Sequence, residues 1–548
     1  MNLQIEINYI PDATAQLELQ TQLNAAFQNQ LRERGLSSEP VGLDIVFKSD
    51  KPTQKLMQLL LDGAELEYSI TLSSEVWFVS RGLQPQHLLK EADVLAEINI
   101  PENAGFINLF YVELLEEVVK ENISAFAAIE TMPNALRLFP ELAEPEKQKF
   151  FVHYNKRALD NCRRADVEGT AELLRMGRKG NDPDEIAEII LSMSSPPSAK
   201  IVISEEYLKA ISELKEKPDL YKKLKEDLFY LLGIDFPDPQ IQFDTSLRGT
   251  QFRIQINDRK SMVYTGLDPD ERIVPQSDSY QLPGILKRPF YNLKNNRNEW
   301  IVRQNDVDLS GDAITPLNFI LMHLARAYRK NVNAFITNGF TEKFLEKGKA
   351  NFPDLVSAVM ERRSISFITA VLRKLVSEEI SLRNEESILQ SIIDFDFVPV
   401  DGSELIVFDD RVTGKEFRQK NNPDDPLYTC EFARIQLKQY ISHISTRGKN
   451  SLSCYLLDMS IEKAILDGNN LNSEEFLSSV ENQITVTYFD EGKPHPVLTT
   501  VDVSPVVREL CKKRFPELSI LSYQELSPDL SITPVSRITM PQKTNKQL

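Results

Sequence analysis

The chain has 548 residues, and its 63 Lys and Arg against 81 Asp and Glu leave a formal charge of −18. A surface this acidic cannot displace phosphate counterions or gain from an anionic membrane face, which argues against a general nucleic-acid binder and against membrane docking. With 41% hydrophobic and 26% charged residues the composition is that of ordinary globular domains, roughly three to five of them at about 100–200 residues each.

The first segment, 1–142, reads as an α+β module. Leu19, Leu23, Phe27 and Leu31 share one helical face between Gln16 and Leu31. Gly35, a turn at Pro40 and the strand Leu43–Phe47 follow. A second α+β region, 201–314, repeats the plan: Leu220, Leu224, Leu228 and Leu231 on a helix, Gly233, a turn at Pro237 and Pro239, then the strand Gln240–Phe243. Thr53-Gln54 matches Thr250-Gln251, the turn Asp62-Gly63 matches Asn257-Asp258, and Tyr68 matches Tyr264, with offsets of 195 to 197. After a slip of register the match resumes. Asn122 and Phe126 then align with Asn331 and Phe335, and Phe139-Pro140 with Phe352-Pro353. Internal repetition outweighs any single helix–turn–strand resemblance, so 1–142 is expected to be a diverged copy of 201–355. Each copy is predicted as helix, strand, hairpin and a longer helix, the second long helix opening at Thr315-Pro316 with Thr as cap and Pro at the first helical position.

The connector 143–200 is expected to be helical and carries a local basic run at Lys156-Arg157, Arg163-Arg164, Arg175 and Arg178-Lys179. Its two readings are a solvated helix face and a contact with the acidic remainder. Residues 315–400 read as helical. Ile368, Val371, Leu372 and Leu375 obey the i, i+3, i+4, i+7 rule and should face a core. Asn384 caps a helix whose apolar face is Ile388, Leu389, Ile392 and Ile393. Asp401-Gly402 and the stretch 418–425 are expected loops, and the acidic pairs Asp409-Asp410 and Asp424-Asp425 solvated ones. Residues 401–530 form a last α/β unit with a helix over 431–444, a strand over 452–457, N-caps at Ser460 and Ser473, and strands at 497–501 and 520–523 around a helix opened by Ser504-Pro505. Strand and helix alternating with short links predict parallel pairing. Residues 531–548 are expected to be a tail, polar and loose from Pro541 onward.

Motifs that carry chemistry are missing from the sequence. The five histidines, at 87, 153, 323, 443 and 495, include no i,i+4 pair, and no glycine-rich phosphate loop or nucleophile elbow occurs. The four cysteines, at 162, 430, 454 and 511, form no C-x-x-C and read as buried residues of a reducing compartment. The chain is expected to be non-enzymatic, with no metal and no cofactor. No basic-then-apolar leader opens it, and no apolar run approaches the roughly 18 residues of a membrane helix, so it is expected to be cytoplasmic and not inserted in a membrane.

Two segments resemble a known family. The first runs from Ile365 through Val376-Ser377-Glu378-Glu379-Ile380-Ser381-Leu382-Arg383-Asn384 to Ile388-Leu389. The second is Val497-Leu498-Thr499, Val507-Arg508 and Arg514-Phe515-Pro516-Glu517-Leu518-Ser519-Ile520-Leu521-Ser522-Tyr523-Gln524-Glu525-Leu526. In that order they resemble the cytosolic domain of the FHIPEP family, the export-gate proteins of flagellar and type III secretion systems. The resemblance covers about 201–530 and implies four subdomains. It also implies a homo-oligomeric ring below an export channel, and docking of chaperone–substrate complexes or export components beside the first two subdomains. The family's cleft motif falls on Gln242-Phe243-Asp244-Thr245, of which Asp244 alone is kept. The family's membrane domain is expected to have no counterpart here. The expected function is therefore a protein-binding component of an export apparatus, or else a scaffold or regulatory protein that kept the fold without secretion. The candidate partner-binding residues are Phe243, Asp244, Thr245 and Arg253. By alternation with Ile241, Phe243 is expected in the core; Asp244 is expected to form a turn.

Overall fold

In the computed structural model of the chain, the described residues are 2–7, single positions between 17 and 31, 42–48, the backbone of 55–61, 64–73, 76–81 and 84–89, single positions between 154 and 191, and 196–540 with gaps. The chain divides into two compact units: 1–229 with 235–294 and 298–339, and 340–548 with 230–234 and 295–297. Helices and several separate sheets make it a multidomain α+β protein.

The first unit opens with β1 (Asn2–Ile7), β2 (Gly42–Phe47), β3 (Lys55–Leu61), β4 (Ala64–Ser73), β5 (Val76–Arg81) and β6 (Gln84–Leu89), in the order β2-β1-β3-β4-β5-β6. Leu3 and Ile5 of β1 are buried, as are Leu23, Phe27 and Leu31 of the predicted helical face. Leu19 lies outside the described residues.

A second sheet follows from β7 (Ala199–Ile203), α1 (Glu205–Ser212), α2 (Leu220–Leu232), β8 (Gln240–Phe243), β9 (Gln251–Ile256), β10 (Arg259–Lys260) and β11 (Tyr264–Thr265). Its order is β10-β9-β7-β8, with β11 also on β9. In both sheets a central strand takes a parallel partner on one side and an antiparallel one on the other. Asn2 pairs with Gly42 and Lys200 with Gln240, the same separation along the chain in both sheets. The next hairpin turns on two residues in each: Leu61 faces Ala64, and Ile256 faces Arg259. The predicted plan omitted the central strand of both sheets, because a five- or six-residue run such as Ala199–Ile203 is too short to show a period. Asn122 and Phe126, the expected mates of Asn331 and Phe335, lie outside the described residues; Phe335 is buried. The α2 face is rotated from the predicted one: Leu228 and Leu232 are buried, whereas Leu231 is exposed.

A small sheet, β12 (Glu271–Pro275), β13 (Arg288–Asn292) and β14 (Arg297–Arg303), runs in the order β12-β14-β13. Then comes α3 (Pro316–Lys330), whose Thr315 hydroxyl accepts the Asn318 N–H as predicted. In the connector, the Cys162 carbonyl accepts the Asp258 N–H, and the Asn161 carbonyl accepts from Asn257 Nδ2 at 2.7 Å. Asn257 sits at a φ of 51°, a left-handed turn position that Asn tolerates. Arg163 stands 4.0 Å from Asp258, one contact between the basic run and an acidic group.

The second unit contains α4 (Asn338–Asn351), α5 (Pro353–Arg362), α6 (Ile365–Ser377) and α7 (Glu385–Asp396). All four predicted core residues of α6, Ile368, Val371, Leu372 and Leu375, are fully buried. Gly233 meets the stretch after α6: its φ is 75°, and a Cβ there would lie 2.8 Å from the Arg383 nitrogen. Where loops were expected there is a meander, β15 (Val400–Asp401), β16 (Leu405–Asp410) and β17 (Lys415–Lys420). Asp409 and Asp410 are strand residues, and Asp425 caps a helix by accepting the Leu427 N–H. The predicted helix over 431–444 is two, α8 (Pro426–Gln436) and α9 (Lys438–Thr446), broken at Leu437.

The last sheet gathers β18 (Ser451–Leu457), α10 (Met459–Leu466), α11 (Ser473–Glu491), β19 (Val497–Thr499), α12 (Ser504–Arg514), β20 (Ile520–Ser522) and β21 (Ser531–Ile538). Its order is β20-β19-β18-β21, parallel throughout as expected. Two caps stand apart from the predicted serines: Asp458 accepts the Ser460 N–H, and Asn472 the Glu475 N–H. The stretch taken as tail begins with β21, which pairs with β18. Of its hydrophobics Ile532 and Val535 are exposed and only Ile538 is buried, so main-chain bonding to β18 largely builds it and no apolar pattern announces it.

Leu375 has no exposed surface. Leu375→Ala is expected to cost about 2–5 kcal/mol, the range for a leucine removed from a packed interior. Urea unfolding followed by circular dichroism measures this. A loss below about 0.5 kcal/mol would contradict the burial.

Candidate protein-docking surface

The candidate site stands at the end of β8, and three helix residues position the turn that leads into it. Tyr328 of α3 donates to the Pro237 carbonyl at 2.6 Å, and its ring stacks on Phe236 at 4.6 Å. Tyr221 of α2 donates to Asp238 at 3.2 Å, and Lys225 bridges Asp235 and Asp238 at 3.0 and 3.2 Å. The strand therefore leaves a fixed point.

All four β8 residues are exposed. Ile241 and Phe243 are each 54% exposed, which corrects the expectation that alternation would carry Phe243 into the core. Alternation placed the two on one face correctly, but that face is left more than half open. β8 ends the sheet, and among the described strands it pairs with β7 alone. One row of its backbone donors and acceptors consequently points outward, the arrangement to which an extended peptide adds.

Asp244 closes the strand. Its N–H donates to the Ile203 carbonyl at 3.4 Å. Its Oδ1 accepts from the Ser246 N–H at 2.9 Å and the Ser246 hydroxyl at 2.7 Å, the turn expected of it. The Ser246 hydroxyl bond, opposed by partial burial and helped by the Ser246 N–H, Arg253 and Lys260, holds its carboxyl below the usual range. Thr245 is exposed beside it. Arg253 is different: it faces Val202 on the far side of β7 and is 5% exposed. It acts on Asp244 through charge and is not a rim contact. Phe243, Asp244 and Thr245 thus come together at the surface, with Arg253 buried on β9, two strands away. Sequence reasoning missed Ile241 as an exposed partner of Phe243, and Ser246 as the group that orders Asp244.

The stretches that carry the family resemblance meet in the second unit. Glu378 follows α6, Glu431 and Arg434 lie on α8, Arg508 on α12, and Glu525 in the turn Tyr523–Glu525. Arg434 pairs with Glu378 and, at 2.6 Å, with Glu525. Arg508 pairs with Glu431, and at 3.4 Å with both Glu378 and Glu525. Ser522 donates to Glu525 at 3.1 Å. The Glu431 and Glu525 side chains have no exposed surface. Burial alone would raise the Glu525 carboxyl; Arg434 and Arg508, with bonds from Arg434 and Ser522, outweigh it and hold the group low. Glu378 belongs to the first resembling segment, and Arg508 and Glu525 to the second, so one buried ion network joins the two.

The sequence model of the FHIPEP family matches residues 185–531. The chain belongs to the FHIPEP family. It resembles the cytosolic domain of type III and flagellar export-gate proteins, a family of protein export. The low calcium response locus protein D of Yersinia pestis is 24% identical over 334 residues, 58% of this chain and 44% of that protein. The hypersensitivity response secretion protein HrcV of Ralstonia nicotianae is 22% identical over 388 residues, 67% of this chain and 51% of that one. The chain spans about half the length of the curated relatives it matches. A chain of the Chlamydia pneumoniae CdsV and CdsO complex superposes with a TM-score of 0.52 at 24% identity, covering 63% of this chain and 99% of that one; the fold is shared. Among the described residues, no helix is long and apolar enough to cross a membrane.

Removing one member of a buried ion network strands its partners in a dry interior. Arg434→Met keeps the volume and leaves Glu525 and Glu378 short of a cation. It is expected to cost about 3–5 kcal/mol, read as a lowered urea midpoint with an unchanged slope. A neutral outcome would mean that the network contributes nothing net.

Proposed function

We propose that this FHIPEP protein is a non-catalytic, cytoplasmic docking component of an export apparatus, and that it receives chaperone–substrate complexes or export components at the end of β8. The observation that carries the reading is the open edge of β8, with Ile241 and Phe243 exposed and Asp244 held ionised beside them. An aromatic anchor with a polar neighbour is the composition of an interface hot spot, and an unpaired strand edge supplies main-chain bonds to any extended segment. The FHIPEP match supports a role in export, and the CdsV and CdsO complex supports a protein partner for this fold. In the same reading the chain assembles with copies of itself into a ring, and residues 1–142 are a second, diverged copy of the module at 201–355. The shared strand order, and the equal spacing between the parallel strands of each sheet, support that copy.

The test is capture of partners from a lysate of the source cells by the full chain, with Phe243→Ser and Asp244→Ala as variants, each shown by circular dichroism to be folded. Each is expected to weaken capture by at least about tenfold, a loss near 1.4 kcal/mol. If both retain every partner of the parent chain, the β8 end is not the docking surface. Charge reversal at Arg253 is no test of docking, because a buried guanidinium cannot be reversed without disturbing the fold.

A further inference from the structure

We infer that Glu431 is a proton-binding site: its buried carboxyl takes up the one proton that brings the ion network of the second unit to charge balance. The inference rests on side-chain geometry and not on the docking reading above.

Two guanidiniums, Arg434 and Arg508, face three carboxyl groups, Glu378, Glu431 and Glu525. With all five ionised the cluster carries one uncompensated negative charge. The three carboxyls are not equally served. Glu525 uses both oxygens, one toward Arg434 and the other toward Arg508 and Ser522. Glu378 pairs with both guanidiniums, and its side chain keeps 23% of its surface in water. Glu431 is bonded through Oε1 to Arg508, whereas its buried Oε2 has no hydrogen-bond partner among the described residues. Its neighbour Cys430 is a buried thiol whose pKa burial raises further, so it brings no charge.

An excess charge in a dry interior is removed by protonation at the group least stabilised as an anion. That group is Glu431. The direction of its titration agrees: burial pushes it up, Arg508 and Arg434 only partly oppose this, and Glu378 and Glu525 push it further. Glu525, in the same cluster, is displaced downward. Neighbouring carboxyls driven apart in this way divide the roles, one staying an anion and one holding the proton.

The sign of the pH dependence follows. A carboxyl whose folded pKa lies above its unfolded value of 4.5 contributes stability that is complete below that value and is lost as pH rises through the folded pKa. Glu431 therefore makes the second unit weaker toward alkaline pH. Glu525 does the reverse, contributing above its unfolded value and failing as pH falls through its lowered pKa. The joint between α6, α8, α12 and the Tyr523–Glu525 turn is tightest with one proton on board.

The experiment uses the full chain labelled with 13C-glutamate. Infrared difference spectra between parent and Glu431→Gln at neutral pH are expected to show the carbonyl stretch of a protonated glutamic acid, lost in the variant and kept in Glu525→Gln. The melting temperature of the parent is expected to fall from about pH 5 to about pH 9 more steeply than that of Glu431→Gln, and the variant should be at least as stable as the parent at the alkaline end. Glu525→Gln should be less stable than the parent across the range. The absence of the band, or equal losses from Glu431→Gln and Glu525→Gln at alkaline pH, would overturn the inference. So would failure of Glu431→Gln to fold, since glutamine is the neutral isostere of the proposed state.

Discussion

Arg434 is the pivot of the second unit. Its guanidinium is buried on α8 and bonded to Glu378 after α6 and to Glu525 in the turn after β20. Apolar packing brings helices together without fixing their register, because hydrophobic contact has no direction. A guanidinium fork between two carboxylates does have direction, and a misplaced one leaves buried charge unpaired. The helical layer and the terminal sheet are in this way held in one arrangement by groups as distant in the chain as Glu378 and Glu525.

This accounts for how much of the family signal was legible. The two resembling segments stood out as residue patterns with no apparent connection. They are the two ends of one network, and the residues between them, Glu431 and Arg434, drew no notice because a charged pair on a helix ordinarily marks a solvated face. Period told the α6 core correctly at Ile368, Val371, Leu372 and Leu375, since a strongly apolar stripe on a long helix has few alternative readings. It failed at Ala199–Ile203, too short for a period, and at Phe243, where an apolar residue in a strand was taken for a buried one. Alternation reports which residues share a face and says nothing about what lies against it. The caps moved by one or two residues, at Asp458 and Asn472, because Asp, Asn and Ser compete on nearly equal terms for that position.

The two sheets of the first unit place their strands alike but finish differently. In one, the hairpin after the central pair grows into the long β4, β5 and β6 meander; in the other it ends with the two short strands β10 and β11. Among the described residues the second sheet thereby keeps a bare edge at β8. Natural sheets guard such edges with charge, proline or a covering loop, and Gln240-Ile241-Gln242-Phe243 has none of these within it. A strand left that way is consistent with use, since it is otherwise a hazard for self-association.

The pairing of β18 with β21 sets the order in which the last sheet is completed. Ser451 lies beside Ser531, with both other strands of the sheet falling between them in the chain. During synthesis β18 emerges first, and its outer row of amides and carbonyls waits for a strand that has not yet been made. β19 and β20, made in the meantime, belong on its other side. For that interval the nascent chain offers an acceptor edge to any extended segment in reach, and closure over so long a loop is intrinsically slow. Residues 458–530 must therefore all be made before that edge can close, an order of events that no contact in the finished protein records.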